Sequence, residues 1–180
     1  METSNFYNEI LTEHNIRPYH KHDMPDATFS LNGVNPSCGD DITLKLKVVD
    51  DVIEDASFIG DGCAISQASA DIMADMVIGR SKEEALRLAE MFIRMIKGSV
   101  TNEEIDELEE AGALKDISHM PARVKCAVLG WHTLQEIFDE FPIGISSSAR
   151  APSAGCNRHR LAHHQGPIQQ PHAGGIGGRM

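Results

Sequence analysis

From Ile42 to Val48 the chain alternates strictly, with Ile42, Leu44, Leu46 and Val48 set against Thr43, Lys45 and Lys47. A period of two places all the apolar side chains on one face, so this stretch predicts a half-buried strand. Weaker alternation at Phe29 and Leu31 runs into the turn Asn35-Pro36, and the segment 52–59 returns as a third strand after Asp50-Asp51. Connections this short predict an antiparallel meander.

Elsewhere the period lengthens to that of a helix. Phe6, Ile10 and Leu11 mark a short amphipathic helix over 5–16, which ends before Arg17-Pro18 because the residue before proline disfavours the α region. Ile65, Ala68, Ile72, Met73 and Met76 trace one face of a helix over 64–78, closed by Gly79-Arg80. Ser81 and Glu84 form a capping box for the next helix, whose core stripe is Ala85, Leu88, Ala89, Phe92 and Ile96. Its methionines read as core filler. Thr101 to Glu110 predicts a short acidic helix with a solvated face, followed by Gly112 and a loop to Met120. The last helix opens at Pro121 and buries Val124, Ala127, Val128, Trp131, Leu134 and Phe138. The expected fold class is α+β: a three-stranded antiparallel sheet with helices packed on one face.

Composition narrows the function classes. The 180 residues carry a formal net charge of −11, which argues against nucleic acid and against an anionic membrane surface as partners. No apolar run approaches the roughly 18 residues of a membrane span, and the polar start Met1-Glu2-Thr3-Ser4-Asn5 does not resemble a signal peptide. A cytoplasmic, reducing setting is expected, where clustered cysteines point to metal or catalysis rather than disulfides. Residues 1–140 hold all 27 acidic and 12 of the 16 basic residues, a balance of −15, and form the expected domain. Residues 141–180 carry +4 and are rich in Gly, Pro, Ser, His and Gln, which predicts a low-complexity, disordered tail.

The candidate chemistry lies in the domain. Cys38-Gly39-Asp40 sets a thiol and a carboxylate on either side of a glycine that lets the backbone fold tightly. Cys63 follows the third strand and Cys38 precedes the second, so an antiparallel sheet brings both to the same end. Cys63 also falls at a helix N-terminus, where unpaired N–H groups favour a thiolate. Cys126 lies roughly 130° from the centre of the last helix's apolar stripe, away from where core packing would put it. With Asp40 the three cysteines make four ligands, the number Zn²⁺ prefers; ordinary buried cysteines are the other reading. His20-Lys21-His22-Asp23 could bind metal through its His-x-His pair but reads as a solvated loop, and Cys156, His159, His163 and His164, which could bind metal opportunistically, read as part of the tail.

Three motifs, Asn35-Pro36-Ser37-Cys38-Gly39-Asp40, Gly60-Asp61-Gly62-Cys63-Ala64-Ile65-Ser66 and Arg123-Val124-Lys125-Cys126-Ala127, resemble those of the IscU/NifU-like iron–sulfur cluster assembly proteins. The resemblance covers about residues 1–140. It is closer to the SufU branch: Lys125 stands where the scaffold branch has histidine, 98–120 resembles the SufU insertion, and a Leu-Pro-Pro-Val-Lys motif is absent. The resemblance implies that Cys38, Asp40, Cys63 and Cys126 bind Zn²⁺. It further implies that Cys38 accepts sulfur from the persulfide of a PLP-dependent, SufS-like cysteine desulfurase and relays it, with other iron–sulfur assembly proteins as further partners. Asp40, a hard oxygen among sulfurs, would be the weakest ligand. Two alternatives remain: a scaffold building a [2Fe–2S] cluster, with iron, on the same residues, and a structural zinc module without chemistry.

Overall fold

The computed structural model describes residues 2–141, with side chains described from Glu9 onward. Three strands form one antiparallel sheet in the order β1 (Phe29–Asn35), β2 (Asp40–Val49) and β3 (Val52–Asp61). The alternating pattern sets the register: Leu44 lies between Leu31 and Phe58, and Leu46 between Phe29 and Ala56. Asp50 and Asp51 both take positive φ, 51° and 63°, as the two central residues of a hairpin turn matched to strand twist must.

Five α-helices follow the expected order: α1 (Glu2–Ile16), α2 (Ala64–Val77), α3 (Lys82–Ile96), α4 (Asn102–Glu107) and α5 (Pro121–Glu140). The helices cover the sheet face that carries Ile42, Leu44, Leu46, Ala56 and Phe58, all at most 1% exposed. Full burial of each of the four larger side chains contributes about 1.5–3 kcal/mol, so the sheet and helices stabilise one another. The Ser81–Glu84 capping box forms, with Glu84 N–H donating to Ser81 Oγ and Ser81 N–H to Glu84 Oε2. Phe92 of α3 stacks on Trp131 of α5 with centroids 4.4 Å apart. The Trp131 indole N–H donates to Ser69 Oγ at 3.1 Å, and that hydroxyl donates to the Ala127 carbonyl, so α2 and α5 share a satisfied polar contact inside the core.

Two segments depart from the sequence expectation. Beyond Leu108 the acidic stretch does not run into a loop but continues as a 3-10 helix, Glu109–His119. Leu108, Ala111, Leu114 and Ile117 are fully buried, so one side of the segment completes the core while Glu103, Asp106, Glu107 and Glu109 face solvent. Arg94 of α3 holds it in place through both oxygens of Glu104, at 2.8 and 3.0 Å. The stretch around His20 is also more than a solvated loop. The His20 carbonyl accepts the Phe58 N–H, Asp23 and Asp26 reach Lys45 and Lys47 on the sheet face away from the helices, and Met24 is 5% exposed.

A buried polar knot ties these parts together. Asp71 of α2 is fully buried and accepts the backbone N–H groups of Tyr19 and His20, at 3.1 and 2.7 Å. His14 of α1 bonds to Asp71 through Nδ1 at 2.7 Å and to Glu110 through Nε2 at 3.2 Å. Burial lowers the His14 pKa, but the bonds to Asp71 and Glu110 and their charges outweigh it and raise it above 6.5. Among the described residues no helix is long and apolar enough to cross a membrane. Phe141 stacks on Phe29; the rest of the expected tail, with Cys156, lies outside the described residues.

Candidate metal centre

The turn that joins β1 to β2 carries the first motif. The Asn35 carbonyl accepts the Cys38 and Gly39 N–H groups at 3.2 and 3.0 Å, and Gly39 takes φ +73°, a conformation that costs other residues a clash at Cβ. The chain then enters β2 at Asp40, paired in register with Asn35. Asp40 is fully buried, and three donors meet its carboxylate. Oδ1 accepts the Cys63 N–H at 2.7 Å and the Ser66 hydroxyl at 3.0 Å; Oδ2 accepts Asn35 Nδ2 at 2.8 Å.

The second motif reaches Asp40 because Gly62 lacks a side chain. A Cβ there would sit 2.4 Å from Ser66 Oγ and 3.1 Å from Asp40 Oδ1. Cys63 is the N-cap of α2, its sulfur accepting the Ser66 N–H at 3.5 Å. The strand geometry expected to bring Cys38 and Cys63 to one end of the sheet is present, since Asp41 pairs with Asp61.

Cys126 corrects one expectation. Its angular distance from the apolar stripe suggested a side chain outside the core, yet it is fully buried. The reason is that α5 is wrapped on more than one side, by α2 and α3 and also by β1, so its buried arc spans every residue from Cys126 to Trp131. What separates Cys126 from core filler is its company: Asn35 Nδ2 donates to its sulfur at 3.4 Å. The Cys38 sulfur, half-buried, meets the exposed Arg123 at 3.6 Å.

The ligand atoms of Cys38, Asp40 and Cys126 all lie within 4.8 Å of one another. Cys63 does not join them within that radius; it is held alongside by its N–H on Asp40. All three of these cysteines are free thiols. His20 and His22 do not converge with any of them: His20 Nε2 faces Asp75 at 3.3 Å and His22 is exposed.

Burial alone would raise the Asp40 pKa, but the Cys63 amide, Cys126, Asn35 and Ser66 together hold it below the ordinary carboxylate value. Burial pushes the Cys126 thiol far up, with Cys38, Asp40 and Cys63 adding to the effect. An ionised carboxylate therefore shares a buried cluster with a thiol that does not ionise unaided. A dication among them would offset both penalties, and the two converging sulfurs and one oxygen, with Cys63 held alongside, are of the donor types that suit Zn²⁺. The residues fit the metal. Sequence reasoning missed Asn35, Ser66 and Arg123 as neighbours of the candidate ligands; the visible signals were an asparagine opening an Asn-Pro turn and a serine three residues into a helix.

The model of the NifU-like N terminal domain family matches residues 6–143. A Streptococcus pyogenes protein named iron–sulfur cluster assembly scaffold protein IscU is 43% identical over 133 residues, which cover 74% of this chain and 82% of that relative. The zinc-dependent sulfurtransferase SufU of Bacillus subtilis is 38% identical over 131 residues, covering 72% of this chain and 87% of SufU. A crystal structure from Fervidobacterium islandicum, described as a scaffold protein for the SUF system, superposes with a TM-score of 0.69 at 34% identity. The match covers 74% of this chain and 96% of that one.

Proposed function

The chain belongs to the NifU-like N-terminal domain family, and from that premise we propose that it is a zinc-dependent sulfur carrier in iron–sulfur cluster assembly. Cys38, Asp40, Cys63 and Cys126 would hold the Zn²⁺. The ion supplies positive charge that keeps buried sulfurs ionised. The observation that carries the reading is the convergence of Cys38, Asp40 and Cys126 within 4.8 Å in a chain 38% identical to a protein named as a zinc-dependent sulfurtransferase.

Within this reading the three cysteines do different work. Cys38 stands on a turn with open space around Gly39, half-exposed and beside Arg123. Its thiolate attacks the terminal sulfur of a persulfide on a PLP-dependent cysteine desulfurase. A new S–S bond forms on Cys38 while the donor's S–S bond breaks, and the donor cysteine leaves as a thiolate. No electrons are gained or lost overall. Arg123 stabilises the attacking anion, and the polar cradle keeps Asp40 ionised. Cys63 and Cys126 are fixed by helical backbone and serve as anchors. A soluble, cytoplasmic setting goes with this role.

A second reading, a scaffold for a [2Fe–2S] cluster on the same residues, is favoured by the name of the 43% identical relative. Exposed Lys125 counts against it, because an ammonium has no lone pair to give iron. Elemental analysis of protein purified without chelator, with its visible spectrum, separates the two. One zinc per chain and no colour supports the sulfur carrier; iron with sulfur-to-iron charge-transfer bands supports the scaffold and overturns the first reading.

A further inference from the structure

Asn35 touches three of the four proposed ligands. Its carbonyl closes the turn that carries Cys38, and its side-chain nitrogen donates both to Asp40 Oδ2, at 2.8 Å, and to Cys126 Sγ, at 3.4 Å. An amide nitrogen has two hydrogens, one for each acceptor. The amide orientation is dictated by its surroundings, since its oxygen in that place would face an ionised carboxylate and a sulfur. Asn35 is itself 5% exposed. A buried donor pair satisfied by ligand atoms is an outer-shell contact of the kind that sets how a metal ligand is oriented.

Asp40 Oδ1 already accepts two hydrogen bonds, from Cys63 N–H and Ser66 Oγ, while Oδ2 accepts one from Asn35. A carboxylate has about four acceptor sites, which leaves one, on Oδ2, beside the Asn35 contact. On Cys126 the same side chain ties the sulfur to a buried amide that also holds Asp40. Cys38 has no such amide donor, only the exposed guanidinium of Arg123 and a 3.9 Å approach to the Ala122 carbonyl.

Resting on the metal-centre reading above, we infer that Asn35 is a positioning residue that locks Asp40 and Cys126 into one fixed relation, directing a single carboxylate oxygen to the metal and holding the Cys126 sulfur in place.

The test uses the full chain loaded with Co²⁺, whose ligand-field and sulfur charge-transfer bands report the ligand set. Asn35→Ala and Asn35→Asp should each bind one Co²⁺ with affinity weakened about 10–100-fold and with shifted bands. Asn32→Ala, which removes an exposed contact to Asp41 and Thr43 on the same strand, should change neither. Wild-type affinity and band positions in both Asn35 variants overturn the inference. A further measurement needs no variant. Wild-type protein loaded with ¹¹³Cd²⁺ should show coupling between the metal and an Asn35 side-chain amide proton, through the N–H···S contact, and its absence overturns the inference. A wild-type chain that takes up no Co²⁺ overturns the metal-centre reading and this inference with it.

Discussion

The Cys63 N–H donates to Asp40 Oδ1 at 2.7 Å, joining the start of α2 to the start of β2 across the site. This bond exists because Gly62 brings the backbone close enough, with Ser66 completing the contact. Gly62→Ala should force Ser66 Oγ away from Asp40. We expect metal affinity to fall about tenfold, as for loss of an outer-shell contact, with little change in helix content. Competition against a chromophoric zinc chelator measures it, and unchanged affinity contradicts the geometry described for this loop.

The metal-free thiols should differ in reactivity. Cys126 is fully buried and its thiol is pushed well above its ordinary pKa, first by burial. Since each unit removes a factor of ten in thiolate, Cys126 should alkylate at least roughly tenfold more slowly than half-buried Cys38 at pH 8. Timed iodoacetamide labelling of the chelator-treated protein, mapped by mass spectrometry, gives the order. Equal rates mean that Cys126 is not enclosed.

Much of this architecture is legible in the chain. The Ile42–Val48 alternation reports a sheet face directly, because period two admits few other readings, and the Ser81–Glu84 cap is a local motif that forms as read. Two features are not legible, for the same reason. A helical wheel assigns one buried face, whereas α5 and α2 are covered on several sides; Cys126 therefore falls off the stripe in sequence yet is buried in the fold, and Asp71 is buried on α2 with no local signal for it. The partners of Asp71 lie 51 to 57 residues away, beyond the reach of any local pattern. The segment after Leu108 hides its core residues among acids at a spacing of three, which is 3-10 rather than α periodicity.

The His14 knot makes stability depend on pH. A folded-state pKa raised above 6.5 means that the charged contacts to Asp71 and Glu110 contribute fully below about pH 6.5. That contribution is lost as pH rises through the folded value. His14→Gln should accordingly lower the melting temperature more at pH 6 than at pH 9. A deficit that is constant across this range would show that His14 is neutral in the fold.

Arg123 lies beside Cys38 at 3.6 Å, its guanidinium also favoured by Cys126 and Cys63, but it is exposed and donates no bond to Asp40 among the described contacts. Arg123→Ala should leave zinc content unchanged while slowing sulfur uptake from the desulfurase several-fold. Arg123→Lys should recover only part, because an ammonium does not reproduce the planar guanidinium. Zinc loss in the alanine variant would instead make Arg123 part of the metal site's support.

The division of labour among the cysteines is the centre of the proposed sulfur transfer. Cys38 sits half-buried on a turn outside any helix, whereas Cys63 caps α2 and Cys126 lies within α5. Mixing the protein with a PLP-dependent cysteine desulfurase and free cysteine, then trapping and mapping persulfides by mass spectrometry, tests this directly. The account predicts the added sulfur on Cys38, and no stimulation of the desulfurase by Cys38→Ser even where zinc is retained. A persulfide found mainly on Cys63 or Cys126, with Cys38 unmodified, would contradict it.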